Sequence, residues 1–122
     1  KRRKIAKLYD KFLGKFPDLI SVQAVGNNLT HSYQMYSCLI KSNYRNDFLF
    51  FLKKKGIEAS VHFDPPLHKQ KYLKNYKKKL PNTERLAKEI VTFPMYAGLK
   101  KKEILKIFSV IKEWYKKNVK KR

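Results

Sequence analysis

Gly56 separates two incompatible periodicities, and the change from one to the other limits the folds open to this chain. Before it, Phe48, Leu49, Phe51 and Leu52 recur at the spacing of a helix with one buried face, and Asn46 offers a side-chain oxygen to cap its start. After it the spacing is two. Ile57, Ala59, Val61 and Phe63 share one face, while Glu58, Ser60, His62 and Asp64 share the other. Pro65 and Pro66 must end that extended run, because neither can donate a ladder hydrogen bond. A helix feeding a strand inside 122 residues implies both element types around one core.

The flanking sequence fits the same reading. Residues 2–13 place Ile5, Leu8, Tyr9 and Phe12 on one helical stripe, with Lys4, Lys7 and Lys11 largely opposite, and Gly14 and Pro17 end it. Residues 32–40 alternate: Tyr33, Met35, Ser37 and Leu39 against Gln34, Tyr36, Cys38 and Ile40. Both faces of that strand are rich in apolar or aromatic groups, so it is expected to be covered on both sides, or on one side by a partner domain. Leu80, Pro81, Asn82, Thr83 and Glu84 form a turn into a helix carrying Leu86, Ala87 and Ile90; Val91, Thr92 and Phe93 are a brief extended piece before Pro94. The last helix is the clearest, with Ile104, Ile107, Phe108, Ile111, Trp114, Tyr115 and Val119 opposite Lys102, Lys106, Lys112, Lys116 and Lys120. The predicted order is helix, strand, helix, strand, helix, brief strand, helix, an α+β fold in a single domain over residues 1–122.

Composition excludes several classes. At 43% hydrophobic and 14% aromatic residues the chain is no disordered tail. One cysteine, Cys38, rules out an internal disulfide framework, and with three histidines a structural zinc site is not expected. There is no apolar run of membrane-spanning length and no charged-then-apolar leader, so a cytoplasmic location is expected. Thirty basic residues against nine acidic give a net charge of +21. That is the footprint of a nucleic-acid binder, and equally the product of a lysine-biased composition spread over solvated helix faces.

The stretch Val61-His62-Phe63-Asp64-Pro65-Pro66-Leu67-His68-Lys69-Gln70-Lys71-Tyr72 resembles a signature of the DegT/DnrJ/StrS class of sugar aminotransferases. Three others agree in order: His31-Ser32-Tyr33-Gln34-Met35-Tyr36, Leu80-Pro81-Asn82-Thr83-Glu84, and Phe93-Pro94-Met95-Tyr96-Ala97-Gly98-Leu99. The opening helix, Lys1-Arg2-Arg3 followed by Ile5 and Ala6, is similar as well, so the likeness spans nearly the whole chain. Ala97 and Lys71 depart from it, standing where the family commonly has proline.

The resemblance implies the C-terminal small domain of a fold-type I aminotransferase: a small, mostly antiparallel sheet with helices packed on it. It implies that pyridoxal phosphate (PLP) belongs to a large domain whose cofactor lysine and phosphate cradle have no counterpart here, so no catalytic, cofactor-binding or metal residue is expected. The parent enzyme would move an amino group from an amino acid to a keto sugar carried on a nucleotide, as a homodimer, with this domain helping to close the active site. By resemblance His68 and Tyr72 are the first candidates for substrate contact, followed by His62 and Tyr96. A neutral imidazole offers a donor and an acceptor to sugar hydroxyls, and a tyrosine can stack on a ring. Each has a plainer reading: His68 as a loop residue, Tyr72 as packing, His62 as part of a polar strand face, Tyr96 as a plug at a domain interface. The competing function is a free-standing basic module in which Tyr72, Tyr76 and neighbouring lysines bind nucleic acid or another polyanion.

Overall fold

The computed structural model describes residues 1–73, 75 and 78–120, so Tyr76 lies outside the described residues. Four helices, α1 (Arg2–Leu13), α2 (Ser42–Lys54), α3 (Pro81–Glu89) and α4 (Lys101–Asn118), accompany three strands, β1 (Ile20–Val22), β2 (Tyr36–Ile40) and β3 (Ile90–Phe93). The strands form one antiparallel sheet in the order β1-β2-β3, which makes the fold α+β. Registers are Ile20 opposite Ile40 on one side of β2, and Tyr36 opposite Phe93 on the other.

Alternation in β2 decides which face is the core. Tyr36, Cys38 and Ile40 are buried, while Ser37 and Leu39 are half-buried. The buried face meets α1, α2 and α4 through aromatic contacts. Tyr9 of α1 stacks on Tyr36 at 4.6 Å between ring centroids and on Phe93 at 5.7 Å. Phe48 of α2 meets Trp114 of α4 edge-on at 5.1 Å. The aromatic polar tips of this layer have partners: Tyr9 Oη donates to the Pro94 carbonyl (3.0 Å), Tyr36 Oη to Asp10 Oδ1 (2.6 Å) and Trp114 Nε1 to Asp47 Oδ2 (2.9 Å). Burial pushes the Cys38 thiol up to about 12, which leaves it an unreactive core residue.

The α4 stripe is buried or half-buried along its whole predicted length, and the five opposing lysines are exposed. Five expectations need correcting. Ile90, expected on the third helix, is the first residue of β3, since α3 ends at Glu89. The extended run after Gly56 forms no strand: only Ser60 pairs, bridging Thr92 through both backbone bonds (3.0 and 2.8 Å). Beyond it Phe63 takes a left-handed backbone (φ 60°) and the prolines follow, so the pairing cannot propagate. The strand at 32–40 is shorter at its start, because Tyr33 is also left-handed (φ 51°), its N–H donating to His31 Nδ1 (2.8 Å). Helix α2 starts at Ser42, with Asn46 in its second turn, since β2 runs almost directly into it. Leu8, placed on the buried stripe of α1, is 45% exposed. β1 had no sequence signal, being three residues long.

Trp114 joins α4 to α2 and carries a satisfied indole N–H. Replacing it by alanine is expected to cost about 3–5 kcal/mol of stability, from lost packing and the cavity left behind. Denaturant unfolding followed by circular dichroism measures this; a loss under about 1 kcal/mol would show that the core does not depend on it.

Candidate functional site

The segment from Val61 to Leu73 carries three of the four candidate residues, and the fold fixes it from two sides. Arg45 occupies the apolar stripe of α2, one turn before Phe48, and is itself buried. Its Nη2 donates to the Ala87 carbonyl of α3 (3.4 Å) and lies 3.6 Å from Asp64 Oδ2, while Nε has no hydrogen-bond partner among the described residues. On the other side Glu84 of α3 accepts from His68 Nε2 (3.3 Å) and from Lys69 Nζ (2.8 Å). The Leu80 N–H also donates to Glu84 Oε1 (3.3 Å), satisfying one of the free donors at the start of α3. Gln70 Nε2 closes the turn onto the Pro65 carbonyl (2.7 Å), and Pro66 is buried beneath it.

These contacts set the electrostatics. The Lys69 ammonium, then the Leu80 N–H, then His68 hold the Glu84 carboxyl at about 2 in place of 4.5. The Glu84 carboxylate is therefore ionised at any ordinary pH. The segment is held at Asp64 and at His68–Lys69, and winds through 3-10 turns at Leu67–Lys69 and, beyond the second anchor, at Lys71–Leu73. Among the groups it presents to solvent, beside Asp64, Lys69 and Lys71, are three large apolar or aromatic side chains: Phe63 is 81% exposed, Leu67 74% and Tyr72 95%.

His68 thus faces inward onto α3, and Tyr72 outward. His62 is half-buried, its ring 6.4 Å from that of Phe63. Tyr96 stands apart from the other three. It lines a cleft of about 450 Å³ with Gly56, Ile57, Glu58, Leu99 and Lys106 among its walls, and its hydroxyl donates to Glu103 Oε1 (3.3 Å). No residue of the 61–73 segment lines that cleft. Arg45 and Glu84 were not among the sequence candidates. Arg45 had a usable signal: a charged residue at the helical spacing of Phe48 and Leu52 must be buried, and a buried arginine requires an acid.

The described lysines are all exposed, including Lys106 at the cleft, and none lies in an enclosed site. Among the described residues no group of three His, Cys, Asp or Glu side chains could hold a metal, and no helix is long and apolar enough to cross a membrane.

The sequence profile of the DegT/DnrJ/EryC1/StrS aminotransferase family matches residues 1–112. A pleiotropic regulatory protein of Geobacillus stearothermophilus is 31% identical over 119 residues, 94% of this chain and 32% of that protein. The dTDP-3-amino-3,6-dideoxy-α-D-galactopyranose transaminase of Aneurinibacillus thermoaerophilus is 24% identical over 115 residues, 93% of this chain and 31% of that enzyme. Among solved structures, a DegT/DnrJ/EryC1/StrS aminotransferase from Brucella abortus superposes with a TM-score of 0.82 at 27% identity, covering 93% of this chain and 30% of that one. The chain therefore spans about one third of the length of the curated relatives it matches. With the sheet, the helical layer and the clamped segment in place, the profile match settles the lineage: the chain belongs to the DegT/DnrJ/EryC1/StrS aminotransferase family, which is PLP-dependent.

Proposed function

We propose that residues 1–122 are the C-terminal small domain of a sugar-nucleotide aminotransferase, helping to close an active site whose cofactor is held by a separate large domain. The parent enzyme transfers an amino group from an amino acid to a keto sugar and works as a homodimer. The observation that carries the reading is the clamped segment: Arg45 holds Asp64 and Glu84 holds His68 and Lys69, and Phe63, Leu67 and Tyr72 around these anchors are turned out from the core. A surface loop held this firmly, with apolar groups outward, suits contact with another body better than contact with water. The described residues do not fit PLP. A Schiff-base lysine needs a desolvated site that lowers its pKa, and the exposed lysines of this chain have none. Relatives about three times as long leave room for the missing machinery.

Within this reading Tyr72 is the principal contact to the nucleotide-linked sugar, through stacking or its hydroxyl, and His62 lies on the same segment. His68 fixes the turn that aims Tyr72 through its bond to Glu84, and keeps its second ring nitrogen for a ligand. Tyr96 serves the separate cleft beside the start of α4.

Two outcomes follow. A carboxyl held lower in the folded than in the unfolded chain binds fewer protons when folded, so its stabilisation is complete above about pH 4.5 and is lost as pH falls towards 2. The Glu84→Gln variant is expected to lack that part of the acid limb in melting curves taken from pH 2 to 6, and to be cleaved faster by trypsin after Lys69 or Lys71. Identical acid limbs in the two proteins would show that Glu84 does not hold the segment.

The isolated chain, given PLP, glutamate and a nucleotide-linked keto sugar, is expected to form no amino sugar. Fused to the large domain of the Brucella abortus aminotransferase it is expected to do so, and Tyr72→Ala in the fusion to raise KM on the order of tenfold by loss of stacking. Turnover by the isolated chain, or a fusion indifferent to Tyr72, would overturn the assignment.

A further inference from the structure

The three helices that cover the sheet leave an outer face whose composition is not that of an ordinary solvated surface. α1 and α4 run in the same direction. Tyr9 and Phe12 meet Phe108 (5.7 and 4.0 Å), and Phe16, just past the C-terminal end of α1, meets Tyr115 further along α4 (4.6 Å). Leu8, one turn before Phe12, and Leu105, one turn before Phe108, therefore stand at the same level on either side of the seam. On α4, Leu105 shares its outward face with Lys101, Lys112 and Lys116; on α1, Leu8 sits beside Lys4 and Lys11. α2 packs against the other flank of α4, where Lys55 pairs with Glu113, and turns Phe50, Lys53 and Lys54 outward. Each helix of the layer thus exposes one large apolar side chain among lysines: Leu8, Phe50 at 58% and Leu105 at 54%.

The acids of these helices are engaged with groups other than the lysines of that face. Asp10 accepts from Tyr36, Asp47 from Trp114, Glu103 from the Lys100 N–H at the start of α4, and Glu113 pairs with Lys55. Lys4, Lys11, Lys53, Lys54, Lys101, Lys112 and Lys116 form no ion pair among the described residues.

We infer that this outer helical face is a docking surface for an anionic lipid bilayer. Lipid phosphates complement the unpaired lysines, whose long stems let the ammonium groups stay at headgroup level while Leu8, Leu105 and Phe50 enter the acyl boundary. A nucleic acid would engage the lysines but leave both leucines without a partner. Bases stack on aromatic faces, and Phe50 is the sole aromatic among the three exposed apolar residues, already covered by Lys54 Nζ at 4.4 Å from its ring centroid. The inference is independent of the aminotransferase reading, and its test reads no turnover.

The chain is mixed at physiological salt with vesicles of equal parts phosphatidylglycerol and phosphatidylcholine, and with vesicles of phosphatidylcholine alone, then sedimented. Binding to the anionic vesicles only is expected. Leu8→Ser, Phe50→Ser and Leu105→Ser combined leave the charge at +21. That variant is expected to lose at least about tenfold in vesicle affinity, through lost apolar insertion, with an unchanged melting temperature because the side chains are exposed. Lys101→Gln, Lys112→Gln and Lys116→Gln combined are expected to weaken binding as well. Undiminished binding by either variant overturns the inference, as does equal binding to neutral vesicles. Displacement from vesicles by duplex DNA that binds wild type and serine variant alike overturns it in favour of a nucleic-acid partner.

Discussion

A three-stranded sheet has one central strand, and here the whole molecule hangs on the buried face of β2. Tyr36, Cys38 and Ile40 offer that face, and Tyr9 lies across it onto Phe93. Large rings bury much apolar area per residue, which is how a chain of this length secures a continuous core. They also bring hydroxyl and indole groups inside, and an unpaired buried donor costs about 1–3 kcal/mol. Asp10, Asp47 and the Pro94 carbonyl answer that demand. The aromatic core therefore dictates where two of the nine acids must be.

The same core reaches the candidate site through β3. Thr92 sits opposite Ser37 of β2, with their hydroxyls 2.9 Å apart, and its backbone bridges Ser60. Ser60 is where the chain leaves the sheet to begin the exposed segment, and Asp64 and His68 are where α2 and α3 hold it. The segment is thus tied to the core at its start by a single backbone bridge and afterwards by side chains alone. Loops anchored by side-chain charge adjust locally without disturbing the sheet, which suits a surface that meets another domain.

Patterns that depend on one helix and one core were legible in the sequence. The α4 stripe and the ends of α1 follow from local spacing and from Gly14. The strand expected after Gly56 was not realised, because alternation reports which side chains could share a face and not whether a neighbouring strand is present to pair. Only Thr92 was within reach, and Phe63 turns the chain away. β1 exists because β2 has a free edge to fill, a tertiary fact that three residues cannot announce. The family signature marked the right segment, yet spacing alone could not say that His68 would face α3 while Tyr72 faced water. That outcome is set by Glu84, fifteen residues beyond Lys69. Arg45 shows the converse: the buried charge was readable from its position on α2, whereas its partner Asp64 was not.

The placement of acids also bears on the charge. Asp10, Asp18, Asp47 and Glu103 accept hydrogen bonds, and Asp64, Glu84, Glu89 and Glu113 sit in ion pairs, leaving Glu58 at the cleft. With so few acids already held in structural contacts, the lysine surplus has no internal partner and collects on the outer faces. A drift towards lysine in composition accounts for the number of those residues. It does not account for Leu8, Leu105 and Phe50, large apolar side chains that stand exposed among those lysines and contribute little to the core. Their exposure among the lysines of the outer helical faces is what separates an apolar-plus-cationic docking surface from a merely solvated one.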